Sequence, residues 1–148
     1  MLRARLLGRP LAVLAFLPLL LCAGAGRSLA EGGDVIVVTA KLVEIPSKPP
    51  PDDLYDYAYV MRYEVVGGPL DKTSILVAHY KPTLPRAKIK DKMKASVSGK
   101  LRSFVQGDMH KLKLSADLKK IWKGPLIDEF SATDRKSVRY WCLEVDPL

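Results

Sequence analysis

The sequence predicts a mainly β fold with minor α content. It is small and five-stranded, either a partly open barrel or an antiparallel sheet with one or two short helices. Three observations predict it. The region 34–44 opens with Val35, Ile36, Val37, Val38 and Thr39 and continues to Leu42 and Val43, a β-branched run that suits a pleated strand. The region 55–66 alternates for twelve residues: Tyr55, Tyr57, Tyr59, Met61, Tyr63 and Val65 on one face, Asp56, Ala58, Val60, Arg62, Glu64 and Val66 on the other. A Lys-rich, helix-like segment follows the third strand rather than alternating with strands.

Residues 1–30 read as an export signal. Arg3, Arg5 and Arg9 precede an uncharged run over 10–25, and Ser28-Leu29-Ala30 supplies small residues before Glu31, the order of a cleavable signal peptide. The run is 16 residues long and interrupted by Pro18, short of the roughly 20 that a spanning helix needs. Cleavage is expected after Ala30, with Ala25 as the alternative cut and an uncleaved anchor as the rival reading. Leu21 before Cys22 does not match a lipidation site. What remains, residues 31–148, is expected to form a single β-rich domain in the periplasm or at the cell surface.

The elements follow in order. The first strand stops at Ile45-Pro46, and Pro46, Pro49, Pro50 and Pro51 with Asp52-Asp53 make a stiff connector, because proline cannot donate to a ladder. The alternating strand over 55–66 ends at Gly67-Gly68, and a third strand spans 74–80. Pro82 and Pro85 bound a loop. Beyond it, Ile89, Met93, Val97 and Leu101 are spaced by four, and lysine-rich composition favours a short basic helix over 87–95. Gly99, Ser96 and Ser98 then break it. A fourth strand region ends at Leu114, Ser115 caps a short helix over 116–122, and Gly124-Pro125 ends that helix. The last strand spans 137–145. Five strands with a helical insert after the third is the order of an OB-like barrel; the likeness is to an architecture and carries no function.

Composition narrows the partners. The chain has a formal net charge of +8. Removal of Arg3, Arg5, Arg9 and Arg27 with the signal leaves 20 basic and 16 acidic residues, a mature charge near +4. The excess is concentrated: 3 basic and 8 acidic residues over 31–71, but 13 and 3 over 81–123. Only Cys142 survives cleavage, so no intrachain disulfide forms, and the chain holds no Asn for glycosylation. A bacterial cell envelope fits these features, and export makes nucleic acid an unexpected ligand.

The candidate binding surface is therefore the basic middle, Arg86, Lys88, Lys90, Lys92, Lys94, Lys100, Arg102, Lys111 and Lys113. It would meet an anionic polysaccharide, a lipid headgroup or an acidic protein partner. No catalytic, cofactor or metal motif is recognisable, and none is expected. Adjacent acids at Asp52-Asp53 and Asp128-Glu129 point apart, and Cys142 sits among apolar residues as an inert core thiol. The expected function is a non-enzymatic, exported accessory module of an envelope complex. The alternative is a small enzyme or metal-binding protein using His79 and His110, which share the apolar faces of their strands.

Overall fold

The computed structural model describes residues 34–148; the expected signal over 1–30 lies outside them. Five strands make the barrel: β1 (Val35–Glu44), β2 (Ala58–Val65), β3 (Ser74–Tyr80), β4 (Met109–Ser115) and, labelled in chain order after a two-residue β5 (Leu126–Ile127), β6 (Arg139–Pro147). The hydrogen-bonded order is β1-β4-β6-β3-β2, and β1 returns to pair with β2. The barrel is thus closed through β1, and the open-sheet alternative falls. All pairs within it are antiparallel except β3 with β6.

β1 closes the barrel because it is long enough to serve two partners. Val35 to Lys41 pair with β4, and Ala40 to Glu44 pair with β2, with a register shift between Leu42 and Glu44. A bulge of this kind bends a strand and sharpens its twist, which is what a strand turning from one neighbour to another needs. Beyond this closure, β2 diverges from β1 at its first residues, and β5 fills the gap by pairing in parallel with Ala58 and Tyr59.

The tyrosine-bearing face of β2 points into the barrel. Tyr59, Met61, Tyr63 and Val65 line the barrel interior with Ala40, Leu42, Ile75, Val77, Leu112, Leu114 and Val145. Tyr55 is outside the strand and exposed, whereas Tyr57, just before it, is buried and donates its hydroxyl to Pro50 O at 2.5 Å. The opposite face of the sheet is buried too. Ala58, Val60, Leu76, Ala78 and Tyr80 sit beneath Ile89, Met93, Val97, Leu118, Trp122 and Phe130.

The covering segment is where sequence and structure differ most. Instead of a helix over 87–95, the chain makes one 3-10 turn, Arg86–Lys88, then further turns. Ile89, Met93, Val97 and Leu101 are all buried, so the spacing by four marked the core face but not a helix. Asp91 explains the outcome. Its Oδ1 accepts the Met93 N–H at 2.9 Å and its Oδ2 accepts the Tyr80 hydroxyl at 2.7 Å, a local side-chain bond that competes with helical pairing. Like charges at Lys88–Lys92 and Lys90–Lys94 would also oppose a helix. The second helix is shorter than expected, Leu118–Ile121, with Asp117 at its N-cap.

Gly99 pins this cover to the barrel. Ser98 and Leu101 bond across β6: Ser98 N–H to Leu143 O at 2.9 Å, Val145 N–H to Ser98 O at 3.2 Å, and Leu101 N–H to Val145 O at 3.3 Å. Gly99 between them has φ +120°, and a Cβ there would stand 2.0 Å from Val145 O. Both the space and the backbone angle demand glycine. Gly99→Ala is expected to cost about 2 kcal/mol or more, read as a lower urea midpoint.

Candidate functional site: a divided basic surface above a buried tyrosine–histidine bridge

The structure sorts the nine basic candidates into four environments. Arg86 is only 3 % exposed and does not belong to the surface. Its guanidinium donates to Tyr80 O at 2.7 Å, Lys81 O at 2.6 Å and Leu84 O at 2.9 Å, and lies 5.3 Å from the centre of the Phe104 ring. Five fixed donors let one arginine satisfy several carbonyls of a loop at once. Burial pulls its pKa down, partly offset by the nearby Cys142 and Tyr63. Arg86 organises the turn after β3 rather than meeting a ligand.

The other eight are exposed, and among the described residues none enters an ion pair. Lys88, Lys100 and Arg102 converge. With Pro85, Ala87 and Leu101 they line an open pocket of about 630 Å³. The Gly99 crossing brings them together by folding residues 99–102 back beside the 3-10 turn. Lys111 and Lys113 project from β4 opposite Asp146 and Glu144 of β6, and all four line a small recess of about 140 Å³. Cross-strand acids offset these two lysines. Lys90, Lys92 and Lys94 sit on the turns between, with Lys92 close enough to Asp56 to help lower its pKa, after the dominant 2.6 Å pair with Lys81. The single basic face expected from sequence is thus a three-cation pocket flanked by two weaker patches.

His79 and His110 do meet, inside the barrel. The Tyr63 hydroxyl lies 3.0 Å from His79 Nε2 and 3.1 Å from His110 Nδ1, and both imidazoles are buried. Phe104 closes over them, 4.4 Å and 5.9 Å from the two ring centres. One hydroxyl donates one hydrogen. It therefore donates to one imidazole and accepts from the other, with both rings neutral. His79 Nδ1 and His110 Nε2, the outer nitrogens, have no partner among the described residues.

This arrangement suits a structural tie better than catalysis. Burial pushes the Tyr63 hydroxyl well above its ordinary pKa and the Cys142 thiol up to about 12, so neither is ionised near neutral pH. Among the described residues no three His, Cys, Asp or Glu side chains stand together as a metal-holding group. The alternative reading built on His79 and His110 gains their proximity but no third ligand and no open approach. Sequence reasoning placed both histidines inward but missed Phe104 and Tyr63 as their cover and bridge. The one available signal was the period-two alternation that puts Tyr63 on the same face of β2 as Tyr59, Met61 and Val65.

Burial lowers the pKa of His79 well below 6.5, reinforced by Arg86 and by His110. His110 is lowered by burial against an opposing pull from Asp108. For a depressed histidine the unfolded chain takes up the proton first. Stability is therefore full above about pH 6.5 and is lost as the pH falls below it. Thermal melts from pH 8 to about 5 are expected to show a falling melting temperature, and His79→Gln is expected to flatten that slope while lowering stability at pH 8. A melting temperature independent of pH in this window would contradict the assignment.

In comparisons with known proteins, no family model, no curated protein and no solved structure matches this chain.

Proposed function

We propose that the protein is an exported, non-enzymatic binding or accessory module of a bacterial cell envelope that contacts an anionic partner, foremost an acidic polysaccharide. The observation that carries this reading is the pocket of about 630 Å³ in which Lys88, Lys100 and Arg102 converge with no carboxylate among its lining residues. Unpaired cations around a concavity attract polyanions and gain little from one another. Export itself rests on the charge order and apolar run of residues 1–30.

The architecture supports the location. Small barrels of this strand order bind extended ligands on the face of the second and third strands. Here the corresponding outer face is occupied by the chain's own Ile89, Met93, Val97, Trp122 and Phe130. The segment that fills that face carries the lysines on its outer side. Binding is thereby moved from an aromatic stacking platform to a charged cover, which favours carboxylate or phosphate groups over unstacked bases. No membrane-crossing helix is present among the described residues.

The test is binding of alginate, a polyuronate, with phosphatidylglycerol vesicles as the comparison. Alginate is expected to bind and to weaken as salt rises. The triple reversal K88E/K100E/R102E should lower its affinity by about tenfold or more, whereas K111E/K113E should have a smaller effect because Glu144 and Asp146 already face those lysines. Vesicle binding in place of alginate, lost in the same triple variant, would redirect the reading to a lipid headgroup. Unchanged alginate binding in the triple variant would sink it.

A further inference from the structure

A second concavity lies away from the basic pocket, between the short helix α1 (Leu118–Ile121), β5 and the loop over 128–139. It encloses about 820 Å³. Its floor is apolar. Leu118, Leu126 and Val138 line it, and Leu126 and Val138 remain 36 % and 52 % exposed. Its outer wall is tied by one arginine. Arg139 donates through Nε to Asp128 Oδ2 at 2.8 Å, through Nη1 to Ser137 O at 2.7 Å, and through Nη2 to Asp134 O. Asp134 in turn accepts the Ser137 hydroxyl at 2.6 Å and the Ser137 N–H at 2.9 Å. Such a cross-braced loop is a preformed wall, and preformed surfaces lose less entropy on binding.

The charge balance of the groove follows from that tie. Asp128 and Arg139 offset each other within the wall. The remaining cations in the lining are Lys119, Lys120 and Arg135, all exposed, against one carboxylate, Asp117. An apolar floor with an excess of cations complements an amphipathic anion. The shape narrows the class further. Leu126 belongs to β5, the terminal strand of the sheet order, which among the described residues pairs with β2 alone. A terminal strand offers backbone groups to an added extended chain.

We propose that this groove docks an extended, acidic peptide segment of a protein partner. Apolar side chains of the segment rest on Leu118, Leu126 and Val138, and its carboxylates meet Lys119, Lys120 and Arg135. The site is separate from the pocket of Lys88, Lys100 and Arg102, so the protein holds two anion-selective surfaces of different character, one for a polyanion and one for a protein segment.

The experiment is fluorescence anisotropy of the full mature chain with a labelled synthetic peptide of alternating Asp and Leu. A peptide of alternating Lys and Leu and sodium oleate serve as comparisons. The acidic peptide is expected to bind, and the Lys-Leu peptide to fail. The triple reversal K119E/K120E/R135E, all at exposed positions, should weaken binding about tenfold or more. Val138→Asp should weaken it by placing a charge on the apolar floor. The K88E/K100E/R102E variant should bind the peptide unchanged, so loss of alginate binding and loss of peptide binding separate the two sites. Circular dichroism of each variant controls for folding. The proposal is overturned if the acidic peptide does not bind, if K119E/K120E/R135E binds it as the parent does, or if oleate occupies the groove in its place.

Discussion

A five-stranded barrel closes only when a strand at one end of the sheet order also pairs with the strand at the other end. In this protein that strand is β1, which gives Val35 to Lys41 to β4 and Ala40 to Glu44 to β2. Other features follow from that double use. Pairing with β4 and β2 at once encloses a narrow interior, filled by Tyr59, Met61, Tyr63, Leu112 and Leu114. It also leaves the start of β2 without β1 as a neighbour, and β5 takes that edge. The groove beside α1 owes its floor residue Leu126 to this compensation.

Closure brings β3 and β4 to face each other across the interior, with Tyr63 of β2 between them. Two histidines in so small a core need partners, because an unpaired buried polar group costs on the order of 1–3 kcal/mol. One tyrosine hydroxyl serves both, and Phe104 seals them from water. Arg86 lies 5.3 Å from the centre of the Phe104 ring, its charge directed to three backbone carbonyls. The interior end of the barrel and the turn after β3 are therefore joined through a single aromatic ring. The two histidines and Cys142 are all buried.

The outer face of β2 and β3 is covered by the chain itself. Residues 81–98 lie across that face and bury Ile89, Met93 and Val97. Their lysines are left outward by elimination, because every fourth residue, Ile89, Met93 and Val97, is consumed as an anchor. The basic surface is thus a by-product of covering an apolar sheet, and its pocket is set by the return of residues 99–102 along β6. Gly99 makes that return sterically feasible.

The sequence by itself determined the five barrel strands and the parity of their side chains, but not the two-residue β5. Period two in β2, β-branched residues in β1 and the alternation His79, Val77, Ile75 in β3 are local patterns, and each strand's amphipathicity is written in its own residues. It also determined that the middle of the chain is basic and that a last strand lies over 137–145. Three things were decided only by tertiary structure. The segment over 87–95 is turns rather than helix, because the Asp91 contacts to Tyr80 and to its own backbone compete with helical pairing. Arg86 is buried while Lys88 is not, because the carbonyls of Tyr80, Lys81 and Leu84 converge on one of them. The eight exposed basic residues form a pocket, a turn and a strand pair faced by acids rather than one face, because Glu144 and Asp146 arrive from β6, more than thirty residues on in the chain. Charge in sequence is a sum along the chain; charge on a surface depends on which acids the fold brings alongside.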